Sequence, residues 1–359
     1  MKPILSISLV AAILIGTSTL AAASIITPRN NANANLPLPY KTIYQFPTSP
    51  AWIENIAVRP NGNLLFSTLI TGDLWTIDPL AASPATPQIV HSFKQINGLN
   101  ATGGIADMGH DTYAVLAGQE GAGIVSIAPG TFQVWEIDFC YNSQSQEQPQ
   151  VSKIADIPGA LFPNGMISVP NTNILLIADS ALGAVWSLDT KIGTPQVAIQ
   201  VPEMAPPVNA VAPLGVNGLK LLDGYLYWTN SLRTTFNRVQ LRVEGGNVTT
   251  LGDVEVLVST GLFLDDFFFD SAGNAWAAAN SNNSIVVIGA EAPHQVVTVL
   301  GNQLQPTVEG PTATHFGVSE KDRQILYVTT SGGAAGPING TFVQAGEVLA
   351  IDTKGFIFP

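Results

Sequence analysis

The chain has 359 residues and carries 14 Lys+Arg against 26 Asp+Glu, a formal net charge of −12. Nucleic acids and anionic membrane surfaces select basic proteins, so neither is an expected partner. Only 11% of residues are charged and 46% are hydrophobic, with 33 Gly and 25 Pro, which excludes a disordered chain or a helical bundle and fits a large all-β core with many turns.

The first segment reads as a targeting signal. Met1-Lys2-Pro3 gives a basic start, residues 4–16 are apolar, and Ala21-Ala22-Ala23 supplies small residues for cleavage, the pattern of a secretory signal peptide over residues 1–23. The apolar run is shorter than the ~20 residues of a membrane span. The expectation is therefore a single-domain mature chain, 24–359, secreted or in the secretory lumen and free of the membrane after cleavage. Sequons at Asn100, Asn247, Asn282 and Asn339 agree with that route as candidate glycosylation sites. Cys140 is the single cysteine, so no internal disulfide forms and stability must come from burial. No neighbour of Cys140 marks it as a nucleophile.

Short apolar strands follow in chain order, separated by Gly, Asn, Asp and Pro. Residues 41–46 read as a strand that pairs with the last blade and closes a ring. Blade one takes Glu54-Asn55-Ile56-Ala57-Val58, then 64–68, then 74–78. Blade two takes Gly104-Ile105-Ala106, 113–116 and a weaker strand at 124–127, and a polar surface loop follows over 140–151. Blade three takes Asn164-Gly165-Met166-Ile167-Ser168, 174–178 and 185–189. Blade four takes Asn217-Gly218-Leu219-Lys220-Leu221 and 225–229. Blade five takes 265–270, 275–278 and 285–288. Blade six takes His315-Phe316-Gly317-Val318, 325–329 and 348–352. The first elements start 50, 60, 53, 48 and 50 residues apart. Six copies at that period predict a six-bladed β-propeller of four-stranded antiparallel blades. The spacing leaves no room for crossover helices, and a two-sheet sandwich does not explain six similar units.

In a propeller the starts of the innermost strands converge on one mouth of the central channel. Glu54, Asn164, Asn217 and Asp265 then form a set of hard oxygen ligands suited to Ca2+, with Mg2+ or Mn2+ as alternatives. The competing reading is a set of loop-holding hydrogen bonds around a water-filled channel, with Asn-Gly serving as ordinary turn chemistry. Trp52, Phe162, Phe263 and Phe316 give the surroundings of these anchors an apolar, aromatic bias, which suits a hydrophobic small-molecule substrate. His315 is a candidate general acid/base or carbonyl donor. Asp266 is a candidate base or loop anchor.

These elements resemble the SMP-30/gluconolactonase/strictosidine-synthase-like superfamily over nearly the whole mature chain. The resemblance rests on Glu54, on Pro163-Asn164-Gly165-Met166, on Asn217-Gly218-Leu219, and on Asp265-Asp266-Phe267 followed by Gly273-Asn274-Ala275-Trp276. It implies a divalent metal held by Glu54, Asn164, Asn217 and Asp265. Asn55 and Asp266 depart from it, standing where glycine is common. Within the superfamily the chain resembles the fungal hetero-Diels–Alderases of tropolone–sesquiterpenoid biosynthesis. That implies cycloaddition of a tropolone quinone methide with a humulene-type terpene, with Asp265, Asp266 and His315 as catalytic groups and Trp52, Phe162, Asn217, Phe263 and Phe316 against substrate. A metal-dependent lactonase and a non-catalytic binding propeller remain as alternatives.

Overall fold

A computed structural model describes residues 35–82, 85–96, 98–121, 127–140, 149–210 and 212–358. The expected signal peptide lies outside the described residues. Among the described residues no helix is long and apolar enough to cross a membrane.

The chain forms six four-stranded antiparallel sheets. An N-terminal strand, β1 (Tyr40–Gln45), comes first. Blade one is β2 (Ile53–Val58), β3 (Leu64–Thr68), β4 (Asp73–Ile77) and β5 (Gln88–Ser92). Blade two is β6 (Ala101–Gly109), β7 (Thr112–Gly118), β8 (Gln133–Asp138) and β9 (Gln150–Asp156). Blade three is β10 (Pro163–Ser168), β11 (Ile174–Asp179), β12 (Ala184–Asp189) and β13 (Thr194–Ile199). Blade four is β14 (Val216–Leu222), β15 (Tyr225–Asn230), β16 (Thr235–Glu244) and β17 (Asn247–Ser259). Blade five is β18 (Leu264–Phe269), β19 (Ala275–Ala279), β20 (Ser284–Ile288) and β21 (Val296–Gly301). Blade six is β22 (Pro311–Phe316), β23 (Ile325–Thr330) and β24 (Glu347–Asp352), completed by β1 on the outside of β24. The first strand thus closes the ring with the last blade, as the sequence predicts, and caps an edge that would otherwise template aggregation.

Two expected elements differ. The third strand of blade two is β8, not residues 124–127: of those, 124–126 lie outside the described residues and Ile127 makes one isolated bridge with Glu120. The inner strand of blade six is β22, so His315 stands near its end rather than at its start.

The hydrophobic core is divided among the interfaces between blades. Leu176 and Ala178 of blade three meet Leu219 and Trp228 of blade four in one cluster. Phe236 of blade four meets Phe267 of blade five in the next, ring centroids 4.9 Å apart and edge to face. Alternation along each strand puts apolar residues on both faces of a blade, because both faces are covered by neighbours.

Candidate functional site

All six inner strands carry a register irregularity just after their first residues, that of β22 lying between Pro311 and Ala313. The extra residue of a bulge re-aims its side chain. Aligning the strands at the irregularity gives an axial layer of Glu54, Gly103, Asn164, Asn217, Asp265 and Thr312. Glu54, Asn164, Asn217 and Asp265 are thus equivalent positions, and all four are buried. In blade two the equivalent is Gly103 rather than Gly104, and in blade six it is Thr312 rather than His315.

The next layer holds Asn55, Gly104, Gly165, Gly218, Asp266 and Ala313. Its glycines stand where inner strands nearly touch. A Cβ on Gly165 would strike the Asn217 carbonyl, and one on Gly218 would strike the Asp266 carboxyl. Asn-Gly is therefore close packing around the axis here, not turn chemistry. Asn55 Nδ2 donates to Asp266 Oδ2 at 3.1 Å, and Lys220 Nζ lies 2.6 Å from Asp266 Oδ1. These three side chains form a floor under the first layer. Asp266 is held by that network, which favours its reading as an anchor over that of a free base.

The first layer is electrostatically tense. Trp52 Nε1 donates to Glu54 Oε2 at 2.5 Å. Burial nevertheless pushes the Glu54 carboxyl up to about 7, with the Trp52 hydrogen bond opposing and the Asp266 charge adding. Asp265 is raised well above the usual carboxylate range, first by burial and then by the Glu54 charge. Asn280 Nδ2 donates to Asp265 Oδ2 at 2.9 Å, and Asn217 Nδ2 donates to Ser231 Oγ at 2.9 Å. Asn217 Oδ1 and Asn280 Oδ1 are buried with no hydrogen-bond partner. Orphaned amide oxygens beside two mutually repelling carboxyls fit a hard divalent cation. Among the described residues no group of three or more His, Cys, Asp or Glu is placed to hold a metal ion, so a cation here would depend on the amide oxygens as well as the two carboxyls.

Above this layer Trp52, Leu69 and Phe162 belong to one apolar cluster, with Ile70, Ala181, Leu214, Ala334 and Ala335 packed against it. These residues come from the mouth-side ends of blades one, three, four and six, and the rest of the cluster is core of blades two and three. Asp179 positions Phe162: its carboxylate accepts the amides of Leu161 and Phe162 at 2.9 Å each. Phe263 precedes β18, is partly buried, and donates its amide to Asn282 Oδ1 at 2.9 Å.

His315 and Phe316 sit elsewhere. Both are at the end of β22, toward the opposite opening. The His315 ring lies 3.9 Å from that of Phe268, with Nδ1 2.7 Å from the Phe316 carbonyl. Burial and then the Lys220 charge push its pKa down to about 4, against that hydrogen bond and Asp266. Phe316 packs edge to face on Trp276 at 5.7 Å and lines a far-side groove of about 1050 Å3. Its expected place against substrate at the mouth is corrected accordingly, because an inner strand runs the length of the channel and four residues carry the chain past the floor.

Sequence reasoning missed Lys220 as part of the floor, and Asn280 and Ser231 as partners of the first layer. The signal was a polar residue at or just after the end of the second strand in five of the six blades, Thr68, Asp179, Asn230-Ser231, Asn280 and Thr330, with Gly118 in blade two. Of the sequons, Asn247 and Asn339 are exposed. Asn100 Nδ2 donates to Glu120 at 3.2 Å and Asn282 holds Phe263. Cys140 is exposed, its Sγ 2.7 Å from the His110 carbonyl.

No family model matches the sequence. Two curated relatives do, each named "Putative hetero-Diels-Alderase". The one from Sarocladium schorii is 30% identical, covering 90% of this chain and 85% of the relative. The one from a Phoma species is 29% identical, covering 84% and 89%. Among solved structures, a luciferin-regenerating enzyme superposes with a TM-score of 0.61 at 13% identity, over 89% of this chain and 96% of that one. A calcium-binding regucalcin of Agrobacterium tumefaciens superposes with a TM-score of 0.56 at 16% identity, over 90% and 97%. At those identities the structural matches establish the propeller fold.

Proposed function

The chain belongs to the family of these two relatives, the hetero-Diels–Alderases, and from that membership we propose that it is a secreted enzyme joining a tropolone quinone methide to a humulene-type terpene. The observation that carries this reading is the apolar cluster of Trp52 and Phe162 at the mouth, directly above a small polar layer. An apolar enclosure with a few fixed polar groups suits hydrophobic reactants that must be oriented by one carbonyl oxygen.

The reaction makes modest demands on the protein. The O=C–C=C unit of the quinone methide supplies four atoms and the alkene two. One C–C and one C–O bond form, and no atom leaves. Fixing both partners in a reactive pose contributes up to roughly 7–11 kcal/mol in the best intramolecular models. Trp52, Phe162 and Phe263 would hold the ring and the terpene and exclude water. A second N–H of the Asn217 amide, beyond the one given to Ser231, would donate to the quinone-methide oxygen, and a hydrogen bond there would draw electron density from the diene. Asp265 would move the proton when water leaves the hydroxymethyl precursor of that diene. A divalent cation held by Glu54, Asn164, Asn217 and Asp265 would polarise the same oxygen.

The axial carboxylate–amide set itself favours a second reading, a metal-dependent lactone hydrolase. Incubating the mature protein with the quinone-methide precursor and humulene, with and without EDTA, separates the two. Cycloadduct formation that falls in Trp52→Ala and Phe162→Ala supports the cyclase. Turnover of simple lactones abolished by Asp265→Ala, with no adduct, selects the hydrolase. Inertness toward both leaves a binding propeller.

A further inference from the structure

The mouth-side connection of blade six, residues 331–346, joins β23 to β24 and contributes Ala334 and Ala335 to the apolar cluster over the mouth. Its base rests on two carboxyls that the cycloaddition does not use. Glu309, just before β22, is 0% exposed, and neither carboxylate oxygen has a hydrogen-bond partner. Its carboxyl presses on Gly333, where a Cβ would collide with Oε1. Gly332 and Gly333 have φ of 67° and 80°, so the loop backbone is shaped and left bare around that carboxyl. The amides of Ile338 and Gln344 face it, but each gives its hydrogen bond elsewhere, to Phe342 at 3.1 Å and to Gly332 at 3.0 Å.

Glu347 opens β24 and is also buried. Its Oε2 accepts from Thr42 Oγ1 at 3.0 Å and its Oε1 from Gln344 Nε2 at 3.3 Å. The charge on Glu309 acts on it unfavourably. A buried carboxylate with no donor, as Glu309 is, costs far more than a hydrogen bond contributes, and the Glu347 carboxyl adds a second like charge. Carboxylate oxygens amid loop backbone, with no thiol or imidazole, match the oxygen coordination of Ca2+.

We propose that Glu309 and Glu347 form a second divalent-cation site, taking Ca2+, which ties the 331–346 connection to the blade-six sheet and so holds Ala334 and Ala335 over the mouth. Backbone carbonyls of the connection and water complete its coordination. The site shares no residue with the axial layer and stands independently of the proposed reaction.

Calorimetric titration of the EDTA-stripped mature protein with CaCl2 tests this in wild type, Asp265→Asn, Glu309→Gln and Glu347→Gln. The expected result is a Ca2+-binding event that survives Asp265→Asn and weakens at least tenfold in each glutamine variant. Binding unchanged by Glu309→Gln, or absent from Asp265→Asn, overturns the site. Chymotrypsin cleavage at the exposed Phe342 in Asp265→Asn gives a second readout that needs no change at Glu309. Ca2+ is expected to slow that cleavage at least fivefold, and an unchanged rate overturns the site.

Discussion

Asn55 donates a hydrogen bond to Asp266 across the propeller axis, from blade one to blade five, at 3.1 Å. These are the two positions at which the sequence departs from glycine in the pattern it resembles, and a single contact accounts for both. Gly104, Gly165 and Gly218 at equivalent positions let the inner strands close up, so Asn55 and Asp266 supply the polar side chains of this layer. With Lys220 the contact forms a polar layer beneath the axial carboxyls and amides.

Lys220 is the counter-charge of that floor, its side chain 17% exposed and that of Asp266 9%. Lys220→Met leaves a buried carboxylate with one amide donor across the axis and no cation. Breaking a buried pair in this way costs about 3–5 kcal/mol, to be read as a lower denaturation midpoint. Lys220→Met/Asp266→Leu is expected to recover more than half of the loss. A single variant as stable as wild type would show that the floor does not depend on the ion pair.

His315 gives the fold an acid-side sensitivity. Its folded pKa is pushed down to about 4, below the unfolded value of ~6.5. Stability is therefore complete above pH 6.5 and is lost as the pH falls through 6.5 toward 4, because the unfolded chain takes up the proton first. Lys220 of blade four opposes that proton, and Asp266 and the Phe316 carbonyl favour it. His315→Gln is expected to flatten the decline in melting temperature between pH 6.5 and 4. A decline of the same slope in that variant would assign it to other groups.

Much of the architecture was legible because burial on both blade faces forces a repeating apolar alternation, and six inner strands announce themselves at intervals near 50. Blade six misled because Pro311-Thr312-Ala313 carries no Asn-Gly or acidic mark, so the eye passes to His315-Phe316. Blade two misled for a related reason, since its axial residue is a glycine. The four axial side chains could be placed from the sequence, yet the partners Ser231 and Asn280, and Lys220 beneath them, could not, because these bonds join different strands at positions 14 to 46 residues apart, the longest of them between blades four and five.

Phe162 and Phe316 separate mouth from far side. Phe162→Ala is expected to lower kcat/KM for cycloadduct formation at least tenfold, a loss of about 1.4 kcal/mol of transition-state binding. Phe316→Ala removes packing on Trp276, so its effect is a stability loss below the ~3–5 kcal/mol of a fully buried ring, with kcat/KM within twofold of wild type. Product assays and melting curves on both variants check this. Activity lost only in Phe316→Ala would move the reactive pocket to the far-side groove.

Closure of the ring rests on one strand from the other end of the chain. β1 meets β24 antiparallel from Tyr40 opposite Ile351 to Gln45 opposite Glu347, and the Thr42 hydroxyl bonds Glu347. Leu38, just ahead of it, is buried with Val299 and Ile351, and its amide donates to the Val299 carbonyl at 2.8 Å. Removing residues 24–45 from the mature chain would uncover the row of backbone donors and acceptors on β24, and an open edge pairs with other chains. The truncated protein is expected to elute as aggregates in size-exclusion chromatography, while Thr42→Val, which loses one hydrogen bond worth about 1 kcal/mol, remains folded with a lowered midpoint. A truncated chain that stays monomeric and melts with the intact protein would mean that blade six is complete without β1.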